Sequence, residues 1–263
     1  MEAGIHSTLL YILLATLALS VASITAAAII SFVLLPKMIG RMISLSIGVM
    51  LSTSLLHALP EAIERHREPY HLFITLLVGL LGFFLLEKLS TLCHAYYREK
   101  KIYKQTNPET LETLPASWMV LVCDSFHHFT DGVLIAAAFL ADSYLGIMTS
   151  MAIFAHEITQ KVGNFIILLN SGFPRLRVYG YSLLCSSLSV IGGLAGYYTL
   201  DYAKPLIPYA LTLAAAGFIY IAIGELLPQM KERVSVRETF IQFALIGAGI
   251  ALICLITGNW HQH

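Results

Sequence analysis

Charge is what this 263-residue sequence has least of: Asp, Glu, Lys and Arg make up 12% of it, against 57% in the hydrophobic set. A soluble domain carries about 25% charged residues. So sparse a supply cannot cover a water-facing surface, and the mean hydropathy of +0.74 places the chain in a bilayer. Neither sign is in excess, 16 basic residues matching 16 acidic ones, which argues against a nucleic-acid partner. Cysteine is scarce as well. Cys93, Cys123, Cys185 and Cys254 form no CxxC pair and fall in or beside apolar runs, where they read as small core residues. No Lys or Arg precedes the first apolar run, and that run is too long for a signal peptide. No Gly/Ser-rich stretch divides the chain, so residues 1–263 read as a single transmembrane domain. Period-two alternation is missing too, which excludes a β-barrel.

What is present is a series of eight continuous apolar runs, each long enough to span a bilayer as a helix. They cover roughly 8–35, 42–59, 72–92, 118–140, 144–169, 178–200, 206–227 and 240–256. The expected fold is therefore all-α, a polytopic membrane protein with eight transmembrane helices. The breaks are short and marked by Pro, Gly or charge; the longest, about 94–116, is read as a cytoplasmic loop. With both termini extracytoplasmic, the inner loops hold Lys37, Arg41, Arg98, Lys100, Lys101, Lys104, Arg175, Arg177, Lys231, Arg233 and Arg237. The outer loops then hold only Arg65, Arg67 and Lys204, a clear positive-inside bias. In the sixth run Gly192-x-x-x-Gly196 is a close-packing signal, weak by spacing alone.

Ionisable side chains at membrane depth cost at least about 2.5 kcal/mol each by insertion scales, so they need partners or a purpose. Two adjacent runs hold most of them. The fourth contains Asp124, His127, His128 and Asp131; the fifth contains His156, Glu157, Gln160, Lys161 and Asn164. Helical spacing puts His127 with Asp131, Asp124 with His128, His156 with Gln160, and Glu157 with Lys161. A six-residue connection makes the two helices antiparallel neighbours with both clusters at mid-depth. Such nitrogen and oxygen donors suit Zn2+ and its first-row neighbours; a proton relay is the remaining alternative. A helical zinc-protease frame, His-Glu-x-x-His, fails because Gln160 stands where the second imidazole belongs.

At these residues the chain resembles the ZIP (Zrt/Irt-like) family of divalent metal-ion transporters. "DSFHHFTDG" is similar to the family's fourth-helix signature D-x-x-H-N-F-x-D-G, with His128 in place of Asn. "HEITQKVGN" is similar to the fifth-helix H-E-x-P-H-E-x-G-D, with Thr159, Gln160, Lys161 and Asn164 as departures. Weaker echoes lie at His57 and Pro60, at Glu87 and Lys88, and at Glu225 and Pro228.

The resemblance implies a 3+2+3 arrangement, with the fourth and fifth helices bracketed by inverted three-helix repeats and carrying metal toward the cytoplasm in an elevator-like cycle. It implies transported Zn2+ as the bound species, with Cd2+, Fe2+, Mn2+ and Co2+ as further substrates, and no catalytic residue or cofactor. The implied partners are the metal, the lipid bilayer and a second copy in a homodimer, and the implied location is the plasma membrane. His127, Asp131, His156 and Gln160 correspond by position to the family's principal site. His128 and Glu157, bridged by Asp131, correspond to the second, and Asp124 completes the metal set. Gln160 in place of His exchanges an imidazole for a weak neutral oxygen, which lowers affinity and softens selectivity. Lys161 either extends along the helix toward water or pairs with Glu157 and opposes a second ion. The rival reading is an intramembrane zinc-dependent hydrolase, a protease or lipid amidase; a carrier for an organic solute finds no obvious cradle.

Overall fold

A computed structural model describes residues 2–33, 36–66, 68–85, 88, 116–170, 173–230 and 235–258. The 94–115 part of the expected loop, Glu87 and Cys93 lie outside them, as do the side chains of Cys123 and Glu225. So do Arg67, Arg98, Lys100, Lys101, Lys104, Lys231 and Arg233 of the charge count.

Among the described residues the chain is helical, without strands. In order the helices are α1 (Glu2–Val33), α2 (Pro36–Thr53, extended below), α3 (Pro69–Leu85), α4 (Ala116–Ala141), α5 (Ser143–Asn170), α6 (Arg175–Tyr202), α7 (Ile207–Tyr220, extended below) and α8 (Val236–Gly258). Five segments are long and apolar enough to cross a membrane: Ser7–Ile30, Gly40–Arg65, Arg175–Tyr202, Lys204–Gly224 and Val236–Ile256. α4 and α5 are not among the five; they carry the ionisable cluster. Leu77, Val78, Leu81 and Phe84 of α3 and Phe240, Phe243 and Leu255 of α8 are exposed, apolar surface of the kind acyl chains solvate. The cysteines divide: Cys185 is buried as expected, but Cys254 is exposed on α8.

Several breaks differ from the sequence expectation. "EAIERH", expected as the start of a loop, is helical to Arg65, because α2 passes through π-helical turns at Ser54–Ala58 into Leu59–Arg65. Pro60 explains the widening. Its ring would collide with the carbonyl of Leu56 in a regular α-helix and it donates no hydrogen bond; a π-turn removes both conflicts. α7 repeats the device, with π-turns at Ile221–Leu226 ahead of Pro228 and a last segment Leu227–Met230. The connection from α4 to α5, expected to span six residues, shrinks to Asp142, whose Oδ1 accepts from the backbone N–H groups of Tyr144 and Leu145 at 2.9 and 3.0 Å. That cap starts α5 at once and makes a tight antiparallel hairpin.

The packing around the hairpin fixes which way it faces. α4 lies along α6 with almost no space between backbones: a Cβ on Gly132 would sit 2.0 Å from the Ser189 carbonyl oxygen, and one on Gly192 would sit 2.0 Å from that of Phe129. The Gly192-x-x-x-Gly196 motif thus packs on the helix that carries the histidines. α1 packs against both α5 and α6, and on α6 Ser20 Oγ donates to the Ser186 carbonyl at 3.0 Å and lies 2.9 Å from Ser189 Oγ. α2 reaches α5 through Ser46 Oγ, which donates to the Ala155 carbonyl at 2.7 Å. Outside this group α2 packs closely on α8 at Gly48, and α3 on α7 at Gly79 and Gly217. Those two pairings exchange if the first and last three helices repeat one another.

Candidate metal centre

Halfway along α4 and α5, residues 124 to 131 meet residues 156 to 164. Along α4, His127 Nε2 lies 3.5 Å from Asp131 Oδ2, and His128 Nε2 lies 3.3 Å from Asp124 Oδ2, the two i,i+4 pairs expected from spacing. Between the helices, the rings of His127 and His156 have centroids 5.4 Å apart. His128 Nδ1 lies 2.7 Å from Glu157 Oε1. One ligand atom each from His128, Asp131 and Glu157 falls within 4.8 Å of the others, the compactness of a metal-binding trio. His128, Asp131, His156 and Glu157 are all buried, while His127 and Gln160 stay partly open.

The atoms these residues leave over are more telling than their distances. Among the described residues, the buried side-chain nitrogens and oxygens without a hydrogen bond are His127 Nε2, His128 Nδ1, Asp131 Oδ2, both ring nitrogens of His156, both carboxylate oxygens of Glu157 and Gln160 Oε1; Thr53 Oγ1 stands apart from them. Buried polar groups are ordinarily paired, and each unpaired one costs about 1–3 kcal/mol, more when charged. His127, Asp131, His156, Gln160 and the second carboxylate oxygen of Glu157 present electron-pair donors that no protein group satisfies, while His128 Nδ1 and Glu157 Oε1 face each other at 2.7 Å. Such a donor set has the chemistry of a cation site.

Asp124 and Lys161 behave otherwise. Lys161 neither extends to water nor reaches Glu157: it is 1% exposed, with Nζ 2.6 Å from His128 Nε2 and 3.4 Å from Asp124 Oδ2. Asn164 Nδ2 donates to Asp124 Oδ1 at 2.8 Å, and Ser186 Oγ lies 3.3 Å from His128 Nε2. The Asp124 carboxylate is therefore engaged by Lys161 and Asn164. Ser186, on α6, is one of three serines in "CSSLS", whose spacing does not mark any of them as a site residue.

Residues 97–257, well over half of the chain, match the ZIP zinc transporter family. The chain belongs to that family. Individual relatives agree. Zinc transporter ZIP10 of Mus musculus is 37% identical over 114 residues, 43% of this chain and 14% of that protein. The zinc transporter foi of Drosophila melanogaster is 33% identical over 150 residues, 57% of this chain and 21% of that protein. Zinc transporter ZIP13 of Pongo abelii is 27% identical over 235 residues, 82% of this chain and 66% of that protein. The matched part thus spans about a seventh of ZIP10 and a fifth of foi, but two thirds of ZIP13. Family membership and the missing second imidazole at Gln160 together leave the hydrolase reading without support.

Proposed function

We propose that this ZIP-family chain transports divalent metal ions, zinc foremost, across a membrane toward the cytoplasm, and that it is not an enzyme. The observation that carries the reading is the convergence of unsatisfied buried donors from α4 and α5 on one place between the helices. His127, Asp131, His156, Glu157 and Gln160 hold the ion. Two imidazoles select borderline metals over a hard ion such as Mg2+, while the carboxylates supply charge. Cd2+, Fe2+, Mn2+ and Co2+ are the further substrates the donor set accommodates. The surrounding architecture proposed is eight spans in a single domain, 3+2+3, with both termini outside the cytoplasm, in the plasma membrane and as a homodimer. The charge asymmetry of the loops supports the orientation.

In liposomes containing the purified chain, Zn2+ influx is expected, and it should fall to background in His127→Ala and Asp131→Ala. Absence of flux for every metal tested, together with metal-dependent hydrolysis, would reverse this reading. Gln160→His should act in the opposite direction. A third imidazole in place of an amide oxygen is expected to tighten Zn2+ binding by about 10-fold and to lower Mn2+ competition. Competition dialysis measures both.

A further inference from the structure

Lys161 is among the bulkiest fully buried side chains of the described residues, and it sits in the same hairpin as a cluster built to attract cations. An ammonium group has three hydrogens to donate and no lone pair. At 2.6 Å from Lys161 Nζ, His128 Nε2 is therefore the acceptor, which places the proton of the neutral imidazole on Nδ1. Nδ1 lies 2.7 Å from Glu157 Oε1. Both nitrogens of His128 are then committed, one as acceptor from Lys161 and the other as an N–H facing Glu157. Although His128 stands within metal-binding distance of Asp131 and Glu157, it has no lone pair left for an ion.

Charge leads to the same result. Asp124, Asp131 and Glu157 are three buried carboxylates, and Lys161 pairs with the first of them. Two negative charges remain unpaired, those of Asp131 and Glu157, which balance one dication. A second dication would find Asp124 engaged, His128 capped and an ammonium alongside. We propose that Lys161 is a built-in cation in the position a second metal would otherwise take: it makes the site mononuclear and converts His128 from a ligand into a positioning residue for Glu157. The proposal rests on the transport-site reading and assigns within it the number of ions and the histidines that ligate them.

The test uses the full chain purified in detergent. Equilibrium dialysis against Zn2+ counts ions per chain, and zinc X-ray absorption counts imidazoles around each ion. Wild type is expected to hold one ion with two imidazoles, those of His127 and His156. Lys161→Glu should hold two ions at the same free Zn2+. The double variant Asp124→Asn with Lys161→Met removes the buried pair together, so it leaves no orphaned charge to unfold the protein. It should hold one ion with three imidazoles, because His128 is released. Two equivalent ions in wild type, or an imidazole count unchanged in the double variant, would overturn the proposal. A wild type that binds no ion, or binding unaffected when His127, Asp131 and His156 are replaced, would instead remove the transport-site reading beneath it.

Discussion

Asp131→Asn is expected to make the metal-free protein more stable and to reduce Zn2+ affinity by at least about 100-fold. Replacing groups that merely support a metal ligand already lowers affinity by about 10–100-fold. Asp131 is proposed as a charged ligand, and without it Glu157 alone faces a dication. The stability effect has the opposite sign. Asp131 is buried, its Oδ2 has no hydrogen bond, and its His127 neighbour stands off at 3.5 Å. A buried carboxylate held this way is a liability until an ion neutralises it, so the neutral amide should gain about 1–3 kcal/mol in the metal-free state. Thermal unfolding with and without Zn2+ measures both effects. Wild type should gain stability with zinc, by about 2.7 kcal/mol at a hundred times the dissociation constant; the variant should start higher and gain almost nothing. A variant that unfolds earlier in the absence of metal would show that Asp131 serves to hold α4 and α5 together.

Gly132→Ala and Gly192→Ala should each destabilise the fold by about 3 kcal/mol, and Gly163→Ala and Gly180→Ala should not. All four are helical glycines, and alanine is the better helix former by about 1 kcal/mol. What separates them is the neighbour. At Gly132 the new methyl would lie 2.0 Å from the Ser189 carbonyl oxygen and 2.6 Å from the Gly193 nitrogen, and at Gly192 it would lie 2.0 Å from the Phe129 carbonyl oxygen. Backbone atoms cannot rotate aside, so α4 and α6 must separate. Gly163 and Gly180 have nothing within 4 Å of an added Cβ, and alanine there should be neutral or mildly stabilising. Because α4 carries His127, His128 and Asp131, separation from α6 would also shift the site, and metal binding should weaken in the first pair only. Unfolding temperatures of all four variants in one detergent make the comparison. Equal destabilisation across the set would mean that helix propensity, not close contact, governs these positions.

The helices were legible because their signal is local. A run of about 20 apolar residues has few other stable forms in a bilayer, and the apolar runs each coincide with a helix among the described residues. The boundaries were less so. Pro60 and Pro228 read as punctuation, and α2 and α7 pass through both by widening into π-turns; a proline inside an apolar run was the available signal. Asp142 was similarly placed in a loop, though its side chain caps α5 and removes the loop altogether.

The site divides in the same way. Spacing alone brings His127 to Asp131, Asp124 to His128, and His156 to Gln160, since residues four apart share a helix face. The same rule misdirects at Lys161. Glu157 is four residues away and was the expected partner, but a long side chain can cross to the neighbouring helix, and Asp124 and His128 receive it there. Which of two reachable carboxylates a buried ammonium adopts depends on the rotation of α5 against α4, and that rotation is set by contacts from α1, α2 and α6 that no local pattern encodes.

What the sequence determined by itself was the class of molecule and its inventory: a helical membrane chain whose expensive polar residues lie on two neighbouring helices at one depth. Both follow from composition and from the 3.6-residue period, which do not depend on distant contacts. Only the tertiary structure decided how the inventory is divided, with Asp131, His127, His156 and Gln160 left unsatisfied, Glu157 faced by His128 on one oxygen only, and Asp124 given to Lys161. The reason is physical. Buried charges pair according to distances of a few ångströms across a helix interface, and those distances come from packing.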